Sequence, residues 1–342
     1  MGINKELLFL FDVCFKETEK LSKRHFRIGP TPISCTYYGD FDISFFTYAI
    51  SHLEEKNADT NALNIIIIDV KSTQKPIPKS LWQWPTINPY NGEMLGMPEG
   101  YYGNCNTITQ TLILIDFTRY RMLFWAKDVA SFPEYERSFP LRQVLFFWHK
   151  KTNFVLVHGG AVGFKSGGVL LAGLGGSGKS TSTMACLNSA LKYAGDDFVL
   201  ANTEQPFIHS LYNVAKLEAS NFHRFPNLEP HIYNKHEMPK EKGQLFLNQF
   251  MPEKVINGFP LKAILLPKFT GNVKTKTRKA SAIDAMLALA PSSTLLLRTS
   301  TEQVKLIAKL VRSVPAFWLE TGTDLSDIPL QIEKILKEEY TL

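Results

Sequence analysis

Apolar and polar positions alternate along the chain clearly enough to predict most of its elements. Leu63–Asp69 is an almost continuous isoleucine run and reads as a buried strand. Thr111–Asp116 and residues 121–125 read as two more, paired through Phe117-Thr-Arg-Tyr120. Residues 141–150 space Leu141, Val144, Leu145 and Trp148 as a helix does, leading into an apolar strand over 155–162 that contains His158. Residues 43–53 fit strand and helix equally well. Residues 76–103 are rich in Pro, Gly, Trp and Tyr and predict a long surface connection. Its aromatics (Trp82, Trp84, Tyr90, Tyr101, Tyr102) suit either an acceptor-binding surface or core, and core is the commoner use.

In the second half, 168–172 is a short buried strand and 181–192 reads as a helix closed by Gly195. Residues 210–218 alternate as one strand. Residues 221–242 form a polar, Pro- and His-containing loop, a candidate lid for gripping an acceptor. Residues 261–267 predict a further strand, and the charged run 274–279 an edge strand that resists pairing with other chains. A helix over 281–289 is closed by Pro291. Ser300-Thr-Glu-Gln303 is a capping box for a helix through Val311. Ser326 caps a helix over 327–340, with Ile328, Ile332 and Leu336 recurring every four residues. Strands interspersed with helices predict an α/β protein, organised as a smaller α+β domain over 1–150 and a domain with a mixed central sheet over 151–342.

The chemistry is densest between 158 and 197. The 168–172 strand ends in Gly173-Leu-Gly175-Gly176-Ser177-Gly178-Lys179-Ser180, followed by Thr181 and the predicted helix. Strand, glycine loop and helix in that order form a phosphate loop: glycines turn successive N–H groups toward one phosphate, and the helix N-terminus adds partial positive charge. Lys179 would reach the β- and γ-phosphates and the Ser180 hydroxyl would ligate Mg²⁺. A glycine-rich turn that binds nothing is the blander account. Asp196-Asp197 beyond the loop suit two tasks, a metal-side carboxylate and a base toward a hydroxyl; an ordinary solvated turn uses the same residues. His158, a lone histidine in an apolar strand, also fits a core role.

His158, the strand pair joined at residues 165–168, the loop and the double Asp together resemble the HPr kinase/phosphorylase family, whose P-loop fold is similar to that of phosphoenolpyruvate carboxykinase. The resemblance covers about forty residues closely. It implies ATP and Mg²⁺ as cofactors, with Gly173, Gly175, Gly176, Ser177, Gly178, Lys179, Ser180 and Thr181 around the nucleotide. It further implies Asp196 as the base taking a proton from an acceptor serine, Asp197 with Ser180 on the metal, and His158 as the active-site histidine. Thr181 stands where the family kinase has Glu, and no Glu-x-Arg-Gly-Leu-Gly segment follows Asp197. The expected acceptor is therefore a peptide, protein or small-molecule hydroxyl other than HPr. The chain is most similar to diverged serine kinases, some of which tailor small peptides in natural-product pathways. Related enzymes form hexamers, so a homo-oligomer is compatible, although the sequence shows no interface signature.

Composition narrows this picture further. Over 342 residues a net charge of +6 suits an anionic ligand such as ATP without demanding nucleic acid, and no aromatic interleaving supports base stacking. The four cysteines are scattered without metal spacing, and Cys186 falls on the apolar face of the loop helix, as in a reduced cytoplasmic protein. Residues 7–11 are too short for a signal segment, and no run spans a bilayer. A second cation to neutralise the transferred phosphate is expected from Lys216, Lys242 or Arg298. The main rival is a nucleotide-gated switch that hydrolyses ATP to regulate a partner, although the transporter-ATPase signature and a guanine-reading Asn-Lys-x-Asp are both missing. A small-acid carboxykinase would need an arginine constellation that the sequence does not display.

Overall fold

The structure, a computed structural model, describes residues 3–17, 21–82, 84–150, 152–297 and 301–338. It is a mixed α/β architecture in two compact units, one comprising Met1–Thr47 and Leu53–Glu136, the other Tyr48–His52 and Arg137–Leu342.

The first unit holds a seven-stranded sheet among the described residues, in the order Glu54–Glu55, Lys23–Ile28, Thr31–Tyr38, Leu63–Asp69, Arg121–Ala126, Thr111–Asp116, Tyr101–Asn106. The isoleucine run sits at its centre, with a parallel neighbour on each side. That position buries a strand on both faces and accounts for its unbroken hydrophobicity. Helix Ile3–Glu17 lays Leu7 and Phe11 against Ile66, Ile68, Leu114 and Trp125. The ambiguous stretch at 43–53 is a short helix (Ser44–Thr47) continuing as a 3-10 helix (Tyr48–Leu53). Trp84 is buried and Tyr90 exposed; the side chain of Trp82 lies outside the described residues.

In the second unit a nine-stranded mixed sheet runs, among the described residues, Lys192–Gly195, Gly160–Phe164, Gly167–Leu171, Gly258–Phe269, Phe207–Ser210, Phe198–Asn202, Phe154–His158, with Ala316–Thr321 and Lys276–Ala280 carried on the long Gly258–Phe269 strand. Successive side chains alternate between two cores. Ala161, Leu170, Ile264 and Leu266 meet helices Ala282–Leu297 and Thr301–Arg312. Val162, Val169, Leu171 and Leu265 meet Ala185, Cys186 and helix Asp327–Lys337 on the other face.

Several predicted boundaries move. The loop helix covers only Lys179–Ala185 plus a 3-10 turn, Cys186–Asn188, and Lys192–Gly195 is a strand; Asp196-Asp197 therefore follow a strand, not a helix. The run 210–218 is broken at Leu211–Asn213, because the Asn213 side chain leaves the ladder to donate to the carbonyls of Tyr48 and Ala49. Helix Ala282–Leu297 runs through Pro291. Burial of Ala285 and Leu289 outweighs the lost donor there. Ser326 stands at the cap position of Asp327–Lys337 but its hydroxyl donates to Asp324 instead. Ser300 of the capping box and Tyr340 lie outside the described residues.

Strand Gly167–Leu171, which leads to the loop, packs closely on its parallel neighbour Gly258–Phe269 at Gly168, where an added Cβ would fall against the edge of the buried Phe259 ring. Gly168→Ala is expected to lower stability by about 1–3 kcal/mol through overpacking, read as a lower urea midpoint with an unchanged slope.

Candidate functional site

Strand Gly167–Leu171 delivers the glycine loop at its C-terminal end, and helix Lys179–Ala185 leaves it. Gly176 and Gly178 take φ values of +78° and +101°, which side-chain-bearing residues rarely adopt, so glycine is required there. Among the described residues, the amides of Gly175, Gly176 and Gly178 donate to no protein group. A Cβ at Gly175 or Gly176 would meet nothing within 4 Å. The loop thus offers unsatisfied N–H groups over open space at a helix N-terminus, a cradle suited to phosphate. Gly173 packs against Ser177. Lys179 is 6% exposed and its ammonium donates to the carbonyls of Gly173 at 2.8 Å and Leu174 at 3.2 Å. Ser180 and Thr181 occupy the first helical turn, both half-buried.

Two chain crossovers converge beneath this loop. In one, Phe154–His158 ends and Gly160–Phe164 begins in a different part of the sheet; in the other, Lys192–Gly195 gives way to Phe198–Asn202. Phe198 is registered against His158, and Gly195 against Ala161. The Gly159 amide donates to the Asp197 carbonyl at 2.9 Å and locks the two crossovers together. The polar residues at these turns, His158, Asp196 and Asp197, are thereby gathered at one place.

The paired carboxylates have opposite environments. Asp196 is 1% exposed, and neither oxygen has a hydrogen-bond partner among the described residues. It sits behind the loop helix: a Cβ at Gly160 would lie 2.5 Å from the Thr183 methyl and 3.5 Å from Asp196 Oδ1. Burial and the neighbouring Asp197 charge push its carboxyl up to about 7, against the opposing influence of Ser180 and Lys179. Asp197 adopts a φ of +67° and lies 3.4 Å from His158 Nε2. Burial would raise it as well, but His158, Lys216 and Lys242 outweigh that and hold it below the usual carboxylate range.

Cations complete the site. Lys216, on strand Val214–Leu217, rests 4.0 Å from the centre of the Phe139 ring. Lys242 pairs with Glu218 at 3.1 Å. Burial lowers the Lys179 ammonium, and Lys242 lowers it further. Arg298 lies outside the described residues. Phe139 and Arg142, whose guanidinium lies 5.1 Å from the Phe198 ring centre, were not marked by any motif. Only their position just upstream of the His158 strand signals them. The 221–242 segment is a packed wall, not a loose lid: Phe222, Phe225, Leu228 and Ile232 share a core with Met184 and Leu187 beside the loop helix.

No protein-family model and no curated protein matches this sequence. Among solved structures, the HPr(Ser) kinase/phosphatase from Coxiella burnetii superposes on 53% of this chain and 93% of its own, at 13% identity and a TM-score of 0.27. A superposition that loose leaves the side chains above to carry the reading of the site. Among the described residues no helix is long and apolar enough to cross a membrane.

The raised Asp196 carboxyl has a sign that can be checked. In the unfolded chain it ionises near 3.8, in the folded protein near 7, so its contribution to stability is full below about pH 4 and is lost as pH rises toward 7. Asp196→Asn is expected to raise the melting temperature at pH 8 relative to wild type by more than it does at pH 4, measured by circular dichroism.

Proposed function

We propose that this chain is an ATP-dependent kinase that transfers the γ-phosphate to a serine-type hydroxyl on a peptide, protein or small molecule other than HPr, with the second unit serving as a P-loop domain of the HPr kinase/carboxykinase type. The observation that carries it is the buried, unpartnered Asp196 carboxylate beside Ser180 and Lys179, under a loop with unsatisfied amides. A buried carboxylate without a donor suits a cation. A serine hydroxyl, one carboxylate and phosphate oxygens are the ligand set Mg²⁺ takes at nucleotide sites.

The residues divide the work by position. The amides of Gly175, Gly176 and Gly178, with Lys179, would hold the phosphates; Ser180 and Asp196 would hold Mg²⁺. Bound MgATP supplies the transferable phosphoryl group and neutralises the charge on the departing ADP. Asp197 is more accessible than Asp196, is kept ionised by its cationic neighbours, and is steadied by His158. It takes the proton of the acceptor hydroxyl as the new oxygen–phosphorus bond forms and the bond to the ADP oxygen breaks. This reverses the sequence-based expectation, which gave the base role to Asp196 and the metal to Asp197. The environments favour the reversal: the group beside the Mg²⁺-binding serine is fully buried, and the group a hydroxyl meets from solvent is its neighbour.

Asp197→Asn is expected to lower phosphorylation by about 10²–10⁴-fold while MgATP binds as in wild type. Asp196→Asn is expected to weaken the Mg²⁺-dependent part of nucleotide binding. Calorimetry with ATP, with and without Mg²⁺, and mass spectrometry of serine-containing peptides incubated with MgATP provide the two readouts. The opposite split would return the base role to Asp196. Undiminished ATP binding by Lys179→Met would overturn the nucleotide site itself, and ADP release independent of any acceptor would favour the switch.

A further inference from the structure

The setting of Lys216 is specific. Its ammonium lies over Phe139, and Arg142 approaches the same ring at 5.8 Å. Phe139 meets Phe198 edge-on at 4.9 Å, and Phe198 meets His158 at 5.4 Å. Cations and ring edges therefore form one patch that adjoins the His158–Asp197 pair. Among the described residues no carboxylate comes within ion-pair distance of Lys216.

Geometry links this patch to the carboxylate pair. Lys216 lies over Phe139, and the Phe139–Phe198 and Phe198–His158 ring contacts carry the patch to His158, which stands 3.4 Å from Asp197. Burial pushes the Lys216 ammonium down to about 8. Desolvating a charge whose nearest carboxylates stand beyond ion-pair distance is unfavourable, and a methionine would cover Phe139 without that penalty.

We propose that Lys216, seated on Phe139 and flanked by Arg142, binds an anionic group carried by the acceptor, a carboxylate or a phosphate, so that the enzyme selects hydroxyls that have a negative charge nearby. The acceptor role rests on the kinase reading; the anion site itself does not. An anion there gives the ammonium the direct partner that no carboxylate among the described residues provides, and a charge-assisted hydrogen bond to it fixes the hydroxyl relative to Asp197.

Trace acetylation of the intact protein with acetic anhydride, read for the Lys216 peptide by mass spectrometry, tests the site with inorganic phosphate and malonate as separate probes. Lys216 labelling is expected to fall about tenfold when the protecting anion is near ten times its Kd, in wild type and equally in Lys179→Met, which removes the loop lysine. Protection by phosphate assigns a phosphorylated acceptor, and protection by malonate a carboxylate-bearing one. Unchanged labelling with both anions overturns the proposal, as does protection that disappears in Lys179→Met, since the anion would then be acting from the loop. In the Lys179→Met background, the further change Lys216→Met is expected to abolish the rise in urea midpoint that the protecting anion gives; a rise of the same size in the double variant also overturns the proposal. Failure of wild type to bind MgATP would sink the kinase reading while leaving the protection result intact.

Discussion

The hydrogen bond from the Gly159 amide to the Asp197 carbonyl is the constraint on which the site depends. It joins two turns at which the chain leaves one set of strands for another, and such turns would otherwise be free to splay. Its neighbours leave little room to move: Gly160 is pressed against Thr183, and Phe198 is registered with His158. Asp197 accepts a left-handed backbone to make the geometry work. Strain of that kind is of order 1–3 kcal/mol and persists only where the surroundings over-determine it. Asp tolerates the conformation better than most residues, so the turn can carry a carboxylate at this position.

Electrostatics then separates two chemically identical neighbours. Both carboxylates are withdrawn from water, which alone would raise both. Asp196 is fully buried with a like charge next to it, and Ser180 and Lys179 oppose too weakly, so burial prevails and the carboxyl moves up. Asp197 has a hydrogen bond with His158 and the ammonium groups of Lys216 and Lys242 around it, so these prevail and it moves down. Two titratable groups driven apart by their environments are how a fold assigns a metal-side role and a proton-accepting role at one pH. Ser180 stands beside Asp196, and Asp197 is the more exposed of the two.

The glycine loop, its strand and both carboxylates were legible because their chemistry is local: spacing and residue type define a phosphate cradle before any tertiary contact is known. The isoleucine strand and the Thr111–Asp116 pairing were legible for the same reason. What escaped was decided by contacts distant in sequence. Residues 189–192 continue an acceptable helical composition, but the chain leaves the helix and pairs Lys192–Gly195 with Gly160–Phe164 as a strand. Asn213 alternates correctly for a strand and breaks it because its amide is needed at Tyr48 and Ala49, some 164 residues away. Pro291 signals a stop that apolar burial overrides. Phe139 and Arg142 belong to no motif, and only the fold brings them to Lys216.

The two lysines nearest the carboxylates depend on a feature smaller than any of these. Val214–Leu217 and Gly243–Phe246 form a two-stranded ribbon with Lys216 opposite Gln244 and Leu217 opposite Gly243. A one-residue slip would turn Lys216 away from Phe139, because side chains alternate faces along a strand. The register is held from the inside. Leu217, Leu245 and Leu247 are buried with Phe222 and Ile232 of the intervening segment, and a Cβ at Gly243 would lie 2.6 Å from the Phe222 ring. The long 218–242 insertion therefore acts through its apolar residues as a clamp on the ribbon, and the ribbon fixes the positive charge that faces Asp197. Polar composition predicts a cover for an acceptor over 221–242; its buried Phe222, Phe225, Leu228 and Ile232 instead pack it onto the ribbon.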